Sequence, residues 1–516
     1  MAQVQQVTLY ALILFSALMV FIGVSAFKKT TTLEGYLLGG RRIGPWVSAF
    51  AYGTAYFSAV IFIGYAGQIG WKAGFASMWI GIGNALLGSL AAWLILAKRT
   101  RRMTQVLGSK TMPEFFQERF DSVHMKVYSA AIIFIFLVPY SAAVYKGLGS
   151  LFVTIFPTAN INVCLAIVAI LTAIYVAFGG YFATVYTNFF QGIIMIVGVV
   201  IMVIYIVANP AVSGIANGMA EVNRLGILAG NNDLTSFFGG SNFKFLAFNI
   251  MLTSFGTWGM PQMITKYYSI KDEKSITQGA VISTAFALII GVGAYFIGSL
   301  GRIFVPVENG LPQGGYDMVV PKILVQTLGL DGKILSTVVL AIFMLLLLSA
   351  SMSTLASIVL TSSSAVSVDL IPSVYDKFKE KYMIFAMRIF SIIFVGLSFL
   401  FATTKITFIV NLMSFSWGVV SGCFIGPLIW GLYYKKTTKT GAWAGLISGV
   451  TVVGILTAVH TLTSNSFAFA MSMSPESGVA AMAVSMVVVP VVSLFTKDVP
   501  VENTKKAFAV MEVQEG

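Results

Sequence analysis

The sequence is poor in charge, in histidine and in cysteine, and each scarcity excludes a class of protein. Charged residues make up 10% of the 516 positions and apolar residues 57%, whereas an ordinary soluble domain is about 25% charged. A soluble chain of this length could not bury so much apolar surface in cores of normal size. Two histidines and two cysteines disfavour a histidine–metal cluster or a disulfide framework. A lipid-embedded protein remains.

Catalytic groups are also missing from the apolar segments. We place all 19 acidic residues in loops or at the ends of apolar segments, with Asp369 the nearest to the membrane. An intramembrane hydrolase needs a buried acid pair, a metal cluster or a Ser–His arrangement, and a proton pump needs buried carboxylates. The sequence therefore predicts no enzyme, no catalytic residue and no cofactor.

Apolar runs long enough to cross a bilayer recur along the whole chain. A span needs roughly 20 mostly apolar residues. The sequence predicts an all-α polytopic membrane protein with about thirteen spans, in one transmembrane transporter domain that covers residues 1–516. The predicted spans, numbered 1 to 13 in chain order, are 8–27, 46–67, 75–97, 127–152, 160–178, 182–208, 244–265, 276–304, 334–365, 385–402, 406–433, 441–462 and 477–496.

The basic residues alternate in phase with these spans. If the N-terminus is outside, only eight of the 32 lysines and arginines fall outside the inner segments, and the other 24 lie within them. Those eight are Lys72, Lys146, Arg224, Lys244, Arg302, Lys322, Lys333 and Lys405. This asymmetry follows the positive-inside rule and explains the net charge of +13 without a nucleic-acid partner. It predicts a multi-pass plasma-membrane protein with an outer N-terminus and a cytoplasmic C-terminus.

A capping box lies in the inner segment 98–126. Thr111 precedes Pro113 and Glu114, which is the pattern of a helix start with proline in its first turn. We expect a short helix through Arg119 at the cytoplasmic interface, with its basic residues facing an anionic leaflet.

Spans 2 and 7 carry small and polar residues at their centres. Span 2 contains Gly53 and Thr54, and span 7 is interrupted by Gly256, Gly259 and Pro261. Each alone fits close helix packing or a proline kink. As a pair that opens two blocks of five spans, spans 2–6 and 7–11, they predict an inverted repeat with broken helices.

Span 9 is rich in hydroxyl groups. Ser349, Ser351, Ser353 and Thr354 are followed by Ser357. A lone hydroxyl in a span usually bonds back to the carbonyl four residues earlier, but five exceed what packing requires. A hard cation such as sodium prefers oxygen ligands, which hydroxyls and freed carbonyls supply.

Lys146 is the one charge well inside a span. It stands within about two turns of the outer end of span 4, so its ammonium group can extend to the outer interface. The alternative is a contact with a solute carboxylate, or a fixed charge that modulates ion binding.

Four motifs in this order resemble the sodium:solute symporter family, and the resemblance covers nearly the whole chain. They are Tyr36-Leu-Leu-Gly-Gly-Arg-Arg-Ile-Gly-Pro45 before span 2, Thr111-Met-Pro-Glu-Phe-Phe-x-x-Arg119-Phe120, Phe178-Gly-Gly-Tyr-Phe-Ala-Thr-Val-Tyr-Thr-Asn188-x-x-Gln191-Gly192, and Ser351-Met-Ser353-Thr354 followed by Ser362-Ser-Ser-Ala and Asp369. The resemblance implies a LeuT-like fold with a 5+5 inverted repeat of spans 2–6 and 7–11. It also implies alternating access, with Na+ as the coupling ion and the only metal.

The resemblance also implies the site residues. The sodium site would use the carbonyls of Thr54, Phe57 and Ala350 and the hydroxyls of Ser353 and Thr354. The solute would lie beside it. Its expected contacts are Tyr56, Ser58, Thr257, Trp258, Pro261 and Gln262, with Lys146 as a cationic contact.

Two departures from the family pattern bear on coupling and on the solute. Asn188 stands where many members have an aspartate, so a second ion at this coupling position is in doubt because the amide brings no charge. Proline carriers of the family have an aspartate where Tyr56 stands and aromatic residues where Thr253 and Thr257 stand. We therefore expect a carboxylate-bearing solute such as an amino acid, a monocarboxylate or a pantothenate-like compound, and proline is disfavoured.

Rival functions remain open from the sequence. A sodium-independent uniporter or a proton-coupled carrier on the same fold is favoured by Asn188. A membrane sensor and a channel are the alternatives of a different class. The expected partners are the lipid bilayer, sodium and a small organic solute, without nucleic acid, and we expect the monomer to be functional.

Overall fold

The chain is almost entirely helical in the computed structural model. The structure describes residues 2–25, 32–308, 310–328, 333–375, 378–404, 408–497 and 501–512, so Lys405 lies outside the described residues. The helices are Ala2–Ser25, Leu33–Leu38, Gly39–Arg41, Pro45–Tyr56, Val60–Tyr65, Ala66–Ala73, Gly74–Ser77, Met78–Gly83, Asn84–Ala91, Trp93–Ala97, Lys98–Leu107, Met112–Phe120, Val123–Ile155, Ile161–Val207, Ile215–Leu228, Gly240–Asn242, Phe243–Phe255, Gly256–Trp258, Pro261–Ser269, Glu273–Ser299, Gly301–Phe304, Tyr316–Met318, Val319–Leu328, Ile334–Ser364, Ala365–Leu370, Ile371–Val374, Glu380–Ala402, Ile409–Tyr433, Lys439–Ser464, Phe467–Ser472, Ser474–Leu494 and Val501–Glu512. Two short antiparallel strands, Val307–Glu308 and Leu311–Pro312, form a hairpin after span 8.

Ten helices among the described residues are long and apolar enough to cross a membrane. Two of them, Val60–Leu107 and Ile161–Val207, have 48 and 47 residues and would measure roughly 70 Å as straight helices, against a hydrocarbon core of about 30 Å. Gly74 and Gly180 adopt φ of +57° and +55°, so each long helix turns and holds parts of two predicted spans. The separate halves of the broken spans are too short to be counted as membrane-crossing helices, so the number of thirteen spans stays a prediction.

Span 2 is broken at its centre, as its composition predicts. Pro45–Tyr56 ends where Phe57 becomes extended, with φ −99° and ψ 104°. The helix resumes at Val60, whose N–H donates to Ser58 Oγ at 3.2 Å. A serine side chain that accepts from a following backbone N–H is how a helix start is capped.

Span 7 is broken at the predicted proline. Gly256–Trp258 is a 3₁₀ turn at the end of the outer half, and Pro261–Ser269 forms the inner half. Between them Met260 is extended, with φ −80° and ψ 119°. Proline disfavours the helical region for the residue before it, so Pro261 fixes the place of the break.

Span 8 supports both neighbours by backbone contact. A Cβ atom on Gly298 would lie 1.9 Å from the carbonyl oxygen of Ala66, and one on Gly81 would lie 2.5 Å from the carbonyl carbon of Gly291. Only glycine lets the helices approach this closely. The outer half of span 2 is thereby held against span 8.

The capping-box helix forms as predicted, but its arginine does not face lipid. Met112–Phe120 begins with Thr111 Oγ1 accepting from the Glu114 N–H at 3.1 Å. Arg119 is fully buried, and its Nε donates to the carbonyl oxygen of Gly431 at 3.0 Å. The expectation of a leaflet anchor is wrong for Arg119, because the end of span 11 offers this guanidinium free carbonyls.

Asp369 is not in a loop, which corrects its predicted position. The helix of span 9 continues through Ala365–Leu370 to Val374, and Asp369 is fully buried within it. Its Oδ1 accepts from Thr111 Oγ1 at 2.7 Å and lies 3.7 Å from Lys126 Nζ. A buried carboxylate is tolerated because these groups compensate it.

Thr111→Ala should lower the thermal stability of the protein, because Thr111 both caps a helix and donates to Asp369. Loss of a cap costs about 1 kcal/mol and loss of a hydrogen bond to a charged group about 1.5–3 kcal/mol more. For a chain of this size the sum lowers the melting temperature by roughly 2–4 °C. Differential scanning fluorimetry in detergent measures it. Thr451→Ala, which removes only a hydroxyl bonded back to Ile447, is the control and should leave the melting temperature unchanged.

Candidate functional site

A cluster of oxygen atoms lies where the broken span 2 meets span 9. The hydroxyl oxygens of Ser353 and Thr354 each lie 3.1 Å from the carbonyl oxygen of Thr54. Ser353 Oγ is also 3.1 Å from the carbonyl oxygen of Ala350 and 2.8 Å from that of Ser349. All of these residues are fully buried. Four of the five predicted sodium ligands are therefore adjacent.

The cluster has more acceptors than hydrogens to fill them. Ser353 carries one hydroxyl hydrogen but faces three carbonyl oxygens, those of Thr54, Ser349 and Ala350. The carbonyls of Ser349 and Ala350 also accept backbone N–H groups within their own helix. The carbonyl of Thr54 belongs to the last turn of its helix, where carbonyls lack intrahelical donors. Surplus buried oxygens are what a hard cation takes as ligands, so these residues fit a sodium ion. The carbonyl of Phe57 lies in the same break, and its role as a ligand stays a prediction.

Asn188 lies beside this cluster on the helix after Gly180. A Cβ on Gly192 would lie 3.0 Å from Thr54 Cγ2, which places the helix against span 2, and Asn188 is one turn earlier. Its side chain is fully buried, and neither amide atom has a hydrogen-bond partner among the described residues. It is polar and neutral, so its part as a second ion or coupling position stays a prediction.

Tyr56 and Ser58 lie at the break of span 2, against two aromatic residues that the sequence did not suggest. Tyr56 donates its hydroxyl to the carbonyl of Thr253 at 2.7 Å, and its ring stacks on Trp417 at 6.1 Å. Tyr140 contacts the same Trp417 edge-on at 5.7 Å. Aromatic residues are common in the middle of spans, so the sequence alone does not identify Tyr140 or Trp417 as part of the site.

Thr257 and Trp258 turn towards span 3. Thr257 Oγ1 donates to the carbonyl of Gly88 at 3.0 Å, and Trp258 Nε1 donates to that of Leu87 at 3.0 Å. Trp258 thus links span 7 to span 3, whereas the single hydroxyl hydrogen of Thr257 is shared between the carbonyl of Gly88 and that of Ser254, 2.9 Å away in its own turn. Thr257 nevertheless lies close to Tyr56, because a Cβ on Gly88 would lie 2.1 Å from the Tyr56 hydroxyl. A solute contact by Thr257 or Trp258 stays a prediction.

Pro261 and Gln262 line a narrow cavity on the inner side of the oxygen cluster. Gln262 is buried and both its amide atoms lack hydrogen-bond partners among the described residues. Lys266, Ser357 and Asp369 line the same cavity. Sequence reasoning placed Lys266 in a loop. The only available signal was its position five residues after Pro261, on a half-helix too short to reach the surface.

Lys146 lies on the outer side, near a carboxylate. The next residue, Gly147, packs against Ala59, and Lys146 itself is half-buried. Asp317, in the short helix Tyr316–Met318, accepts from the Ile409 N–H with Oδ2 at 3.3 Å. Burial raises the pKa of Asp317 to about 6, although this hydrogen bond and the charge of Lys146 lower it. Asp317 is therefore the acidic residue whose pKa the charge of Lys146 lowers.

Comparisons with known proteins agree on one family. The sodium:solute symporter family matches the chain over residues 36–449. The chain is 28% identical to the osmoregulated proline transporter OpuE of Bacillus subtilis, over 96% of each chain. It is 26% identical to the sodium/proline symporter of Haemophilus influenzae, over 84% of this chain and 85% of the relative. These relatives are transporters and not enzymes.

Solved structures agree on the fold. A sodium-coupled sialic acid symporter, in a substrate-bound outward-open state, has a TM-score of 0.73 at 15% identity, with 95% of this chain and 98% of that chain covered. The nucleobase-cation-symport transporter Mhp1 has a TM-score of 0.52 at 15% identity, over 91% and 98%. The predicted LeuT-like membrane fold is confirmed.

Proposed function

Because the chain belongs to the sodium:solute symporter family, we propose that it couples the inward movement of one sodium ion to the uptake of a small zwitterionic amino acid. L-Proline is the first candidate. The observation that carries the proposal is the convergence of Ser353 and Thr354 on the carbonyl of Thr54. This contact joins span 2 to span 9 through groups that a cation can bridge.

The relatives favour proline, and the side-chain contacts weaken the sequence-based argument against it. That argument depended on Tyr56, Thr253 and Thr257. Tyr56 is bonded to the carbonyl of Thr253, and Thr257 to that of Gly88. These side chains fasten spans 2, 3 and 7 to one another, so their difference from family members says little about the solute. The names of the relatives then count for more.

The energetics favour a zwitterion over an anion. One charge that crosses about 100 mV gains about 2.3 kcal/mol, and a tenfold sodium gradient adds about 1.4 kcal/mol. Together these sustain roughly several hundredfold accumulation of a zwitterion. A monoanion that enters with one sodium moves no net charge and would accumulate only about tenfold. One sodium ion can thus drive strong accumulation of a carboxylate-bearing solute only if the solute also carries a positively charged amine.

The broken helices supply the moving parts of this cycle. Sodium at the oxygen cluster would bind the inner half of span 2 to span 9, because Thr54 is on the first and Ser353 on the second. The breaks at Phe57 and Met260 let each half of spans 2 and 7 tilt separately. In alternating access, the site would then open to one side of the membrane while the bound ion keeps it closed to the other.

Uptake into proteoliposomes tests the proposal. Radiolabelled L-proline should accumulate when sodium is outside and the interior is negative, and replacing sodium with choline should reduce uptake at least tenfold. Competition by unlabelled amino acids and monocarboxylates then ranks the solutes. Sodium-dependent uptake of another solute but not of proline would contradict the solute and keep the coupling.

A sodium-independent or proton-coupled carrier is the second candidate. It is favoured by the neutral Asn188 and by the buried Lys266, which lies on the inner side of the cluster. Uptake that is unchanged in choline would select it and reject sodium coupling.

A further inference from the structure

Lys266 is a buried lysine whose nearest polar contact is a hydroxyl. It lies on the inner half of span 7, Pro261–Ser269, and is 2% exposed. Its Nζ lies 3.4 Å from Ser357 Oγ and 4.9 Å from the centre of the Tyr181 ring. Among the described residues, no ion pair involves Lys266. An ammonium group at this position would therefore have no carboxylate partner among those residues.

A hydrogen bond connects this ammonium group to the candidate sodium site. Ser357 Oγ donates to the carbonyl oxygen of Ser353 at 3.1 Å. Ser353 is one helical turn, roughly 5 Å, from Ser357, and its own hydroxyl belongs to the oxygen cluster. The ammonium group of Lys266 thus lies within roughly 10 Å of the cluster.

The space between the two holds a polar group without charge. Tyr181 is level with Lys266, while Gly192 on the same helix packs against Thr54. Asn188 lies between these two depths, buried, with both amide atoms lacking hydrogen-bond partners among the described residues. A second cation could take the amide oxygen, but no carboxylate from this helix would compensate it.

The other charged groups of the cavity lie farther away. Asp369 is twelve residues beyond Ser357 on the same helix, which is roughly 18 Å. Its carboxylate is bonded to Thr111 and lies near Lys126. Lys110 also lines the cavity, beside Thr111 and so at the end where Asp369 lies. Lys266 is therefore the ionisable side chain of this cavity that lies nearest to the cluster.

We propose that Lys266, when protonated, places a positive charge on the inner flank of the sodium site, which limits the protein to one sodium and promotes its release to the cytoplasm. The inference rests on the proposed sodium coupling. At about 10 Å and an effective dielectric constant of about 20, repulsion between two unit charges weakens sodium binding by roughly tenfold. A second sodium near Asn188 and Ser357 would be closer still to the ammonium and is excluded by it.

Sodium binding to purified protein tests this role without transport. Binding is followed by sodium-dependent thermal shift in detergent, with choline keeping the ionic strength constant. Lys266→Gln should bind sodium roughly tenfold more tightly than the natural protein. Lys266→Arg keeps the charge and should bind like the natural protein. A purely structural role would weaken binding in both variants, so tightening in the glutamine variant alone is diagnostic.

The outcomes separate this inference from the proposed function. A natural protein that shows no sodium-dependent shift would reject sodium coupling itself. A natural protein that responds to sodium, with a Lys266→Gln variant of equal or weaker affinity, would overturn the role of Lys266 alone. If Lys266→Gln does not fold, Lys266→Met carries the same expectation.

A double variant tests the limit of one sodium. Asn188→Asp with Lys266→Gln puts a carboxylate in place of the amide and removes the ammonium. Binding of radioactive sodium should then become cooperative, with a Hill coefficient that rises from about 1 towards 2. Asn188→Asp alone should bind one sodium, because the new carboxylate pairs with Lys266. A second sodium in that single variant would contradict the exclusion.

Discussion

Replacing Ser353 and Thr354 together by alanine should reduce sodium-dependent uptake at least a hundredfold. Both hydroxyls converge on the carbonyl oxygen of Thr54, and each would be a direct ligand of the ion. A hydrogen bond or contact to a charged group contributes about 1.5–3 kcal/mol, so losing two weakens sodium binding by about 3–6 kcal/mol. Initial rates at several sodium concentrations measure the loss.

A neighbouring serine gives a matched control for this double variant. Ser351 is on the same helix and equally buried, but its hydroxyl donates back to the carbonyl of Leu347 at 2.7 Å. Ser351→Ala should therefore keep the sodium dependence of the natural protein. Full uptake by the Ser353→Ala/Thr354→Ala variant would reject the site, and so would an equal loss in Ser351→Ala.

The oxygen cluster could be predicted because its signal is local. Consecutive hydroxyls in span 9 exceed what helix packing uses, and Thr54 lies in a span whose small residues predict a break. The family resemblance then paired the two segments. The structure places Ser353 and Thr354 against Thr54, because the carbonyls of a broken helix and paired hydroxyls are each other's best buried partners.

The directions of the side chains around span 7 could not be predicted. The polar residues of the helix Phe243–Phe255, Lys244, Asn249, Thr253 and Ser254, do not form one polar face, so its sequence does not indicate which neighbour each face meets. The family resemblance implies that Thr257 and Trp258 contact the solute, but it does not give the directions of their side chains. Their hydrogen bonds go to carbonyls of span 3, which only the packed fold could show.

Two charged residues at the inner end, Asp369 and Lys266, do not lie where the sequence predicts, because hydropathy does not show where their helices end. Asp369 lies in a π-helical continuation of span 9, where hydropathy alone ends the span four residues earlier. Lys266 lies on a half-helix that stops inside the protein. In both cases the sequence predicts a position outside the membrane because the side chain is charged. Burial was possible because Asp369 has Thr111 and Lys126 nearby, and Lys266 has a hydroxyl and an aromatic ring.

Lys146→Gln and Asp317→Asn should each slow uptake about tenfold, and the double variant should recover to within about threefold of the natural rate. The loop that holds Asp317 covers the outer half of span 2, since a Cβ on Gly67 would lie 2.6 Å from the carbonyl oxygen of Tyr316. Removing one charge leaves the other partly buried and uncompensated, whereas removing both relieves that cost. Initial rates of the three variants give the coupling energy, which we expect to be about 1–2 kcal/mol.

The same variants decide between the two roles proposed for Lys146. If Lys146 contacts a solute carboxylate, Lys146→Gln raises the KM for that solute and Asp317→Asn does not reproduce the effect. If Lys146 acts on Asp317, the two single variants behave alike and the KM changes little. The structure favours the second role, because the charge of Lys146 lowers the pKa of Asp317.

The pH dependence of uptake should also reflect the interaction between Lys146 and Asp317. Burial raises the pKa of Asp317 to about 6 from an ordinary value of 3.8, so lowering the pH from 7 to 5 protonates it and should slow uptake towards the rate of Asp317→Asn, which should itself stay flat. Folding favours the protonated form, so the contribution of Asp317 to stability is greatest below about pH 4 and declines as the pH rises through about 6. Between pH 7 and 5 this contribution to stability increases while uptake falls. Parallel melting and uptake curves therefore distinguish titration of Asp317 from general acid damage, which would lower both.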